Sequence, residues 1–192
     1  MAKTQQDQAT AALDRVAGHR VRTRHASQAE RDQFRLVLND ASSEGPLQTF
    51  LATHPCLLIR MLPPGTNILL YDRPKLGSEY IPDFLISVTN SQGPLWTSIE
   101  LESPTAPALT NSGEMAAKLA RAVGQINDWR DWLRDNVAYA RATIGLKGIS
   151  NEITAWIVIG RRRPMNNRQQ RRYAALNRMG FTVLSYDRLL DT

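Results

Sequence analysis

Three acidic residues stand where acids are costly. Asp83 follows Pro82 at the head of an otherwise apolar run, Phe84-Leu85-Ile86, and aspartate is a poor strand former. Glu100 and Glu102 alternate with Ile99 and Leu101, so on a strand both carboxylates leave one face and both aliphatic side chains the other. Like charges side by side repel, and a carboxylate close to a core is unfavourable unless paired or metal-bound. If these segments form a hairpin with residues 90–93 as its loop, Asp83 lies opposite Glu100 and all three acids share a face. A loop one residue longer sends Asp83 to the other side. Converging carboxylates suit a hard divalent ion, Mg2+ or Mn2+, which takes oxygen ligands and keeps waters. The competing reading is a strand rim whose acids simply meet solvent or arginines.

The cations are equally selective. The chain carries 24 Lys and Arg against 18 acids, a formal charge of +6, and only Lys3, Lys75, Lys118 and Lys147 are lysine. Arginine's planar fork grips phosphate at two points, so a basic chain that chooses it suits a polyanion, nucleic acid ahead of membrane. Arg161, Arg162, Arg163, Arg168, Arg171 and Arg172 fall within twelve residues, and the last three share one helical face. Beside a metal site, such a stripe would hold the DNA backbone while one phosphate is worked upon. A solvated basic face is the alternative. A second cluster, Arg20, Arg22, Arg24 and His25, reads as phosphate contact or as solvated linker.

These residues need a scaffold. Residues 1–42 are polar and read as a helical N-terminal arm, with weak stripes Ala12/Leu13/Val16/Ala17 and Phe34/Val37/Leu38. Ser27 and Glu30 fit a capping box. From residue 43 to 192 the pattern is that of one α/β domain. A short helix (Leu47, Phe50, Leu51) stops at His54-Pro55, because the residue before proline is pushed out of helical geometry. Strands follow at 68–71, 81–89 and 95–102, the last two as a hairpin. A helix over about 113–136 buries Met115, Leu119, Ala122, Ile126, Trp129 and Leu133. The run 153–160 is a strand covered on both sides; a helix over 168–179 and a strand over 181–186 complete a mixed β-sheet flanked by helices.

Several chemistries are excluded. One cysteine, Cys56, permits no intramolecular disulfide and no cysteine zinc cluster. His19, His25 and His54 are scattered, and no glycine-rich phosphate loop or nucleophile elbow occurs. No apolar run approaches a membrane span and the first residues lack a signal peptide's apolar segment, so the expectation is a soluble, cytoplasmic protein.

Pro82-Asp83 followed by Glu100-Leu101-Glu102 after a hairpin resembles the PD-(D/E)xK nuclease superfamily. More narrowly, Glu44 to Leu51, Leu76 to Ile86, Ile99 to Pro104, Gln125 to Trp129, Ile159 to Arg161 and Tyr186 to Leu190 resemble, in order, the nuclease domain of Shedu anti-phage defence proteins. The resemblance implies a restriction endonuclease-like core and an Mg2+-dependent (or Mn2+-dependent) DNA endonuclease or nickase. Asp83 and Glu100 would be its metal-binding acids, Glu44 a helix carboxylate that joins them, and Gln125 a glutamine on the following helix. Gln125 reads equally as a structural residue flanking that helix's apolar stripe. The resemblance also implies a homo-oligomer, with residues 1–42 extending the interface.

One position departs from the pattern. Where the superfamily usually has lysine, two residues after the second acid, this chain has Glu102. Either Glu102 is a further metal ligand, with Lys118 or Arg121 reaching in from the next helix, or chemistry is lost. In the second case the domain binds nucleic acid or a protein partner as a sensing or assembly module.

Overall fold

The computed structural model describes residues 20–77 and 80–191. The stripe at residues 12–17 lies outside them. In chain order the elements are α1 (Gln28–Asp40), α2 (Gly45–Thr53), α3 (Cys56–Ile59), β1 (Thr66–Asp72), β2 (Phe84–Asn90) and β3 (Gly93–Leu101). Then come α4 (Ala117–Tyr139), a π-helical turn (Ala140–Ile144), β4 (Thr154–Val158), α5 (Asn167–Arg178), β5 (Phe181–Leu184) and a 3-10 turn (Tyr186–Leu190).

The five strands lie in sequence order in one sheet. β1, β2 and β3 form an antiparallel meander, and β3, β4 and β5 run parallel, joined by crossovers through α4 and α5. The sheet is therefore mixed and covered on both faces. One face packs Phe84, Ile86, Ile99, Leu101, Trp156 and Val158 against α1, α2, α3 and the 3-10 turn. The other packs Leu85, Ala155, Ile157, Phe181 and Val183 against α4 and α5. β4 sends alternate side chains into both cores, which is why its sequence shows no polar face.

Register follows from the hairpin turn. Asn90 pairs with Gly93, so Ser91 and Gln92 alone make the turn, and Phe84 stands opposite Ile99. Gly93 takes a φ of 108°, and the Asn90 side chain accepts a hydrogen bond from the Gln92 N–H at 2.8 Å. The loop is tighter than 90–93, yet the pairing that sets Asp83 opposite Glu100 is the one read from the sequence.

Boundaries shift where local bonds compete. The helix expected from 113 begins at 117, because Leu109 and Met115 bridge and Thr110 holds Gly113 and Glu114 in a closed loop. The last strand ends at Leu184 rather than at 186, since Tyr186 starts the 3-10 turn and buries its ring completely. α1 carries the capping box: the Ser27 N–H donates to Glu30 Oε2 (2.6 Å) and the Glu30 N–H to Ser27 Oγ (3.2 Å). Its Phe34 and Leu38 enter the same core as Leu47 and Leu51, so the helix at 28–40 packs onto the main domain.

Phe34→Ala should therefore destabilise the protein by about 3–5 kcal/mol, read as a lowered urea midpoint. A loss under about 1 kcal/mol would mean that α1 is an appendage.

Candidate functional site

The site lies at the sheet edge where β2 begins and β3 ends. Asp83 immediately precedes β2, and its Oδ2 accepts the Leu101 N–H at 2.8 Å. This bond fixes the carboxylate across the hairpin from Glu100. Alternation sends Asp83, Glu100 and Glu102 to the face covered by α4, along with Leu85 and Ile157. Glu100 and Glu102 are each only 8% exposed. Beyond β3 the Glu102 N–H continues the parallel ladder to the Val158 carbonyl (2.8 Å), and its own carbonyl accepts the Tyr186 hydroxyl (2.8 Å).

α4 lays a stripe over these acids. Lys118, Ala122, Gln125 and Trp129 fall on one side of the helix by its 3.6-residue period. Lys118 Nζ is 3.4 Å from Glu102 Oε2. Trp129 is buried, and its indole N–H faces Glu100 outside hydrogen-bonding geometry, acting on it as a weak dipole. Gln125, between these two contacts, is exposed, as is Arg121 on the flank; neither side chain makes a hydrogen bond or ion pair among the described residues.

Burial sets the electrostatics. It pushes Glu100 up to about 8, with the Asp83 and Glu102 charges adding to the rise and Trp129 opposing it. Asp83 is pushed up to about 6, mainly by burial; the Leu101 N–H and the Arg73 charge pull it down, while Glu44 and Glu102 push it up. Glu44, just before α2, thus faces the same acids, and Tyr186 is raised by burial and by the charges of Asp83, Glu44 and Glu102.

Two shielded carboxylates opposite one another, short of positive partners, suit a hard divalent cation. Magnesium commonly takes one or two carboxylates and keeps its waters. Among the described residues, no three His, Cys, Asp or Glu side chains form a ready-made metal cluster. The carboxylates that could hold such an ion are Asp83 and Glu100, with Glu44 and Glu102 acting on them electrostatically.

The arginine run divides. Arg161 is tied to Asp187 (Nη2 to Oδ1, 2.9 Å) and to Asn39 (3.1 Å), and Arg162 pairs with Asp191. Arg172 donates to the Gly113 carbonyl at 3.2 Å. Arg163, Arg168 and Arg171 are exposed and make no side-chain hydrogen bond or ion pair among the described residues. The sequence reading missed Arg73. In Asp72-Arg73-Pro74 it reads as turn, yet it holds a left-handed φ of 46°, donates its N–H to the Asp83 carbonyl (2.9 Å), and turns its charge toward Asp83. A non-glycine residue at positive φ is a sequence-silent signal that only the backbone reveals.

A mixed sheet with acids gathered at one strand edge and arginines beside them agrees with the nuclease-like architecture expected above. Residues 41–190 match the family model described as Shedu protein SduA, C-terminal, and the chain belongs to that family. Among solved structures, the chain is similar to the restriction endonuclease FokI bound to DNA, at 12% identity and a TM-score of 0.43. That match covers 86% of this chain and 27% of the other, so this chain spans little more than a quarter of that protein's length. No curated protein matches the chain. Among the described residues no helix is long and apolar enough to cross a membrane.

A testable consequence is the pH dependence of stability without metal. Both carboxyls bind protons more tightly when folded than when unfolded, so their contribution is complete below about pH 4 and is lost as pH rises through 6 and then 8. In EDTA, the melting temperature should fall between about pH 5 and 8, each group contributing at most about 1.4 kcal/mol per pH unit. Glu100→Gln should flatten the upper part of that slope; an unchanged slope would show that Glu100 is not the group involved.

Proposed function

We infer that the chain is a divalent-metal-dependent DNA endonuclease or nickase of the Shedu defence type. The observation that supports this most is the pair Asp83/Glu100, opposed across one hairpin, with Glu100 buried and Asp83 half-buried and only Arg73 lending the pair a positive charge among the described residues. These two residues would hold Mg2+ or Mn2+, with Glu44 and Glu102 as nearby additional oxygens. The ion supplies a bound water of lowered pKa and offsets charge building on the phosphate.

The chain's own residues do the positioning. Leu101 fixes one Asp83 oxygen and leaves the other to bind. Lys118 offers from α4 the cation that the superfamily usually places on the strand, and it neutralises Glu102. Gln125, on the same stripe, would extend toward a phosphate held by the acids, and Arg73 lends its positive charge to Asp83. Arg168 and Arg171, whose side chains have no partner among the described residues, would take the DNA backbone, and such contacts make affinity fall steeply with salt.

A second reading has its own support. Glu102 in the lysine position, already bound to Lys118, favours a domain that has lost chemistry and only binds nucleic acid or a partner. Plasmid relaxation separates the two. Wild type should nick or cut supercoiled DNA with Mg2+ or Mn2+ and not in EDTA, and Asp83→Asn or Glu100→Gln should cost about 100-fold or more in rate. Lys118→Ala should lower the rate less than either. Metal-independent behaviour, or salt-sensitive binding with no cleavage, would leave only the binding module.

A further inference from the structure

A cleft of about 710 Å3 opens beside the acidic edge, at the carboxyl ends of β4 and β5. Its volume is that of a small-molecule site. The apolar lining is made by the buried Ile159 and Val183 and the half-buried ring of Tyr173, with the exposed Met165 at the rim; the Tyr173 hydroxyl makes no hydrogen bond among the described residues. Guanidinium groups of Arg161, Arg162, Arg163 and Arg188 ring it.

The cleft is built rather than incidental. Its two walls, the 106–111 segment and the start of α5, are tied together by hydrogen bonds. Asn166 Nδ2 donates to the Asn111 carbonyl (3.1 Å) and Gln169 Nε2 to the Thr110 carbonyl (3.0 Å). At its inner end Gly160, at φ +67°, lets the Ala106 carbonyl approach to 2.4 Å of where a Cβ would stand. No other residue type fits there, so the cleft is shaped by the backbone itself.

Charge narrows the ligand. Asp187 neutralises Arg161, and a single Asp191 is shared by Arg162 and Arg188. Four guanidiniums thus face two carboxylates, and Arg163 has no partner among the described residues. The surplus of two positive charges matches a phosphomonoester, which carries about −1.5 to −2 near neutrality, better than a singly charged diester. The apolar, aromatic interior suits the flat body of a base, since rings stack on aromatic side chains with little regard to sequence.

We propose that this cleft binds a nucleoside monophosphate, its phosphate at the Arg163 rim and its base against Tyr173 and Met165. The site needs no metal and does not rest on the nuclease reading. It gives the domain a small-ligand site next to its acidic edge, distinct from the exposed track of Arg168 and Arg171.

The test is calorimetric titration of the full chain in EDTA, where no cleavage can interfere. The probes are the four deoxynucleoside and four ribonucleoside monophosphates, with inorganic phosphate, adenosine and a ten-residue single-stranded oligonucleotide as comparisons. At least one monophosphate should bind about tenfold or more tightly than either fragment. Arg163→Glu should weaken that binding about tenfold or more with an unchanged melting temperature, because the residue is exposed. Phosphate binding as well as the nucleotide would reduce the cleft to an anion site and overturn the proposal. So would an oligonucleotide that binds where mononucleotides do not, or nucleotide binding indifferent to Arg163→Glu.

Discussion

Two carboxylates face each other across the β2–β3 pair, and the fold holds them there against their own repulsion. Unpaired charges this close to a core are ordinarily selected against, since desolvation and like charge both oppose ionisation. The register that opposes Asp83 to Glu100 cannot slip without turning Phe84, Ile86, Ile99 and Leu101 out of one core and Leu85 out of the other. The hydrophobic pattern therefore pins a polar arrangement that would not persist alone.

Around that pair the neighbours relieve the strain only in part. The Leu101 N–H binds one Asp83 oxygen, Lys118 answers Glu102, and Arg73 lends a charge from the end of β1. Among the described residues Glu100 has no cationic side chain of its own; the one group that eases its charge is an indole N–H in poor geometry. On the proposed reading this deficit is functional, because a site fully compensated by protein charges would have no use for an ion. The replacement of a strand lysine by Glu102 also makes sense only with α4 in view. The positive charge comes from a helix that starts beyond a fourteen-residue connection, from 103 to 116.

Much of this was legible in the sequence, for identifiable reasons. Acids interrupting apolar strands expose their own cost, alternation puts Glu100 and Glu102 on one side, and turn chemistry at 90–93 sets the register. The helix from 117 onward was legible because its buried stripe is long. What escaped depends on contacts distant in the chain. Nothing in Asp72-Arg73-Pro74 tells that Arg73 is held by the Asp83 carbonyl, and nothing in Phe181 to Tyr186 tells that Tyr186 leaves the sheet to bond the Glu102 carbonyl. The arginine run looked uniform in sequence, whereas the fold spends Arg161 and Arg162 on Asp187 and Asp191 and leaves Arg163, Arg168 and Arg171 open. Helix α1 looked thinly apolar because two residues, Phe34 and Leu38, carry nearly all of its burial.

Gly160 carries a consequence for how this domain can change. The Ala106 carbonyl occupies the space of its missing side chain, and its N–H bonds the Ser103 carbonyl (3.1 Å) just past the Glu102–Val158 rung. The stretch from 102 to 106 is thus clamped at both ends with no slack. Lengthening it by even one residue would shear the acidic edge away from the arginine cleft. Sequence drift that adjusts the spacing between these two surfaces must enter farther along, in the connection that leads to α4, and a redesign of the domain should graft new segments there.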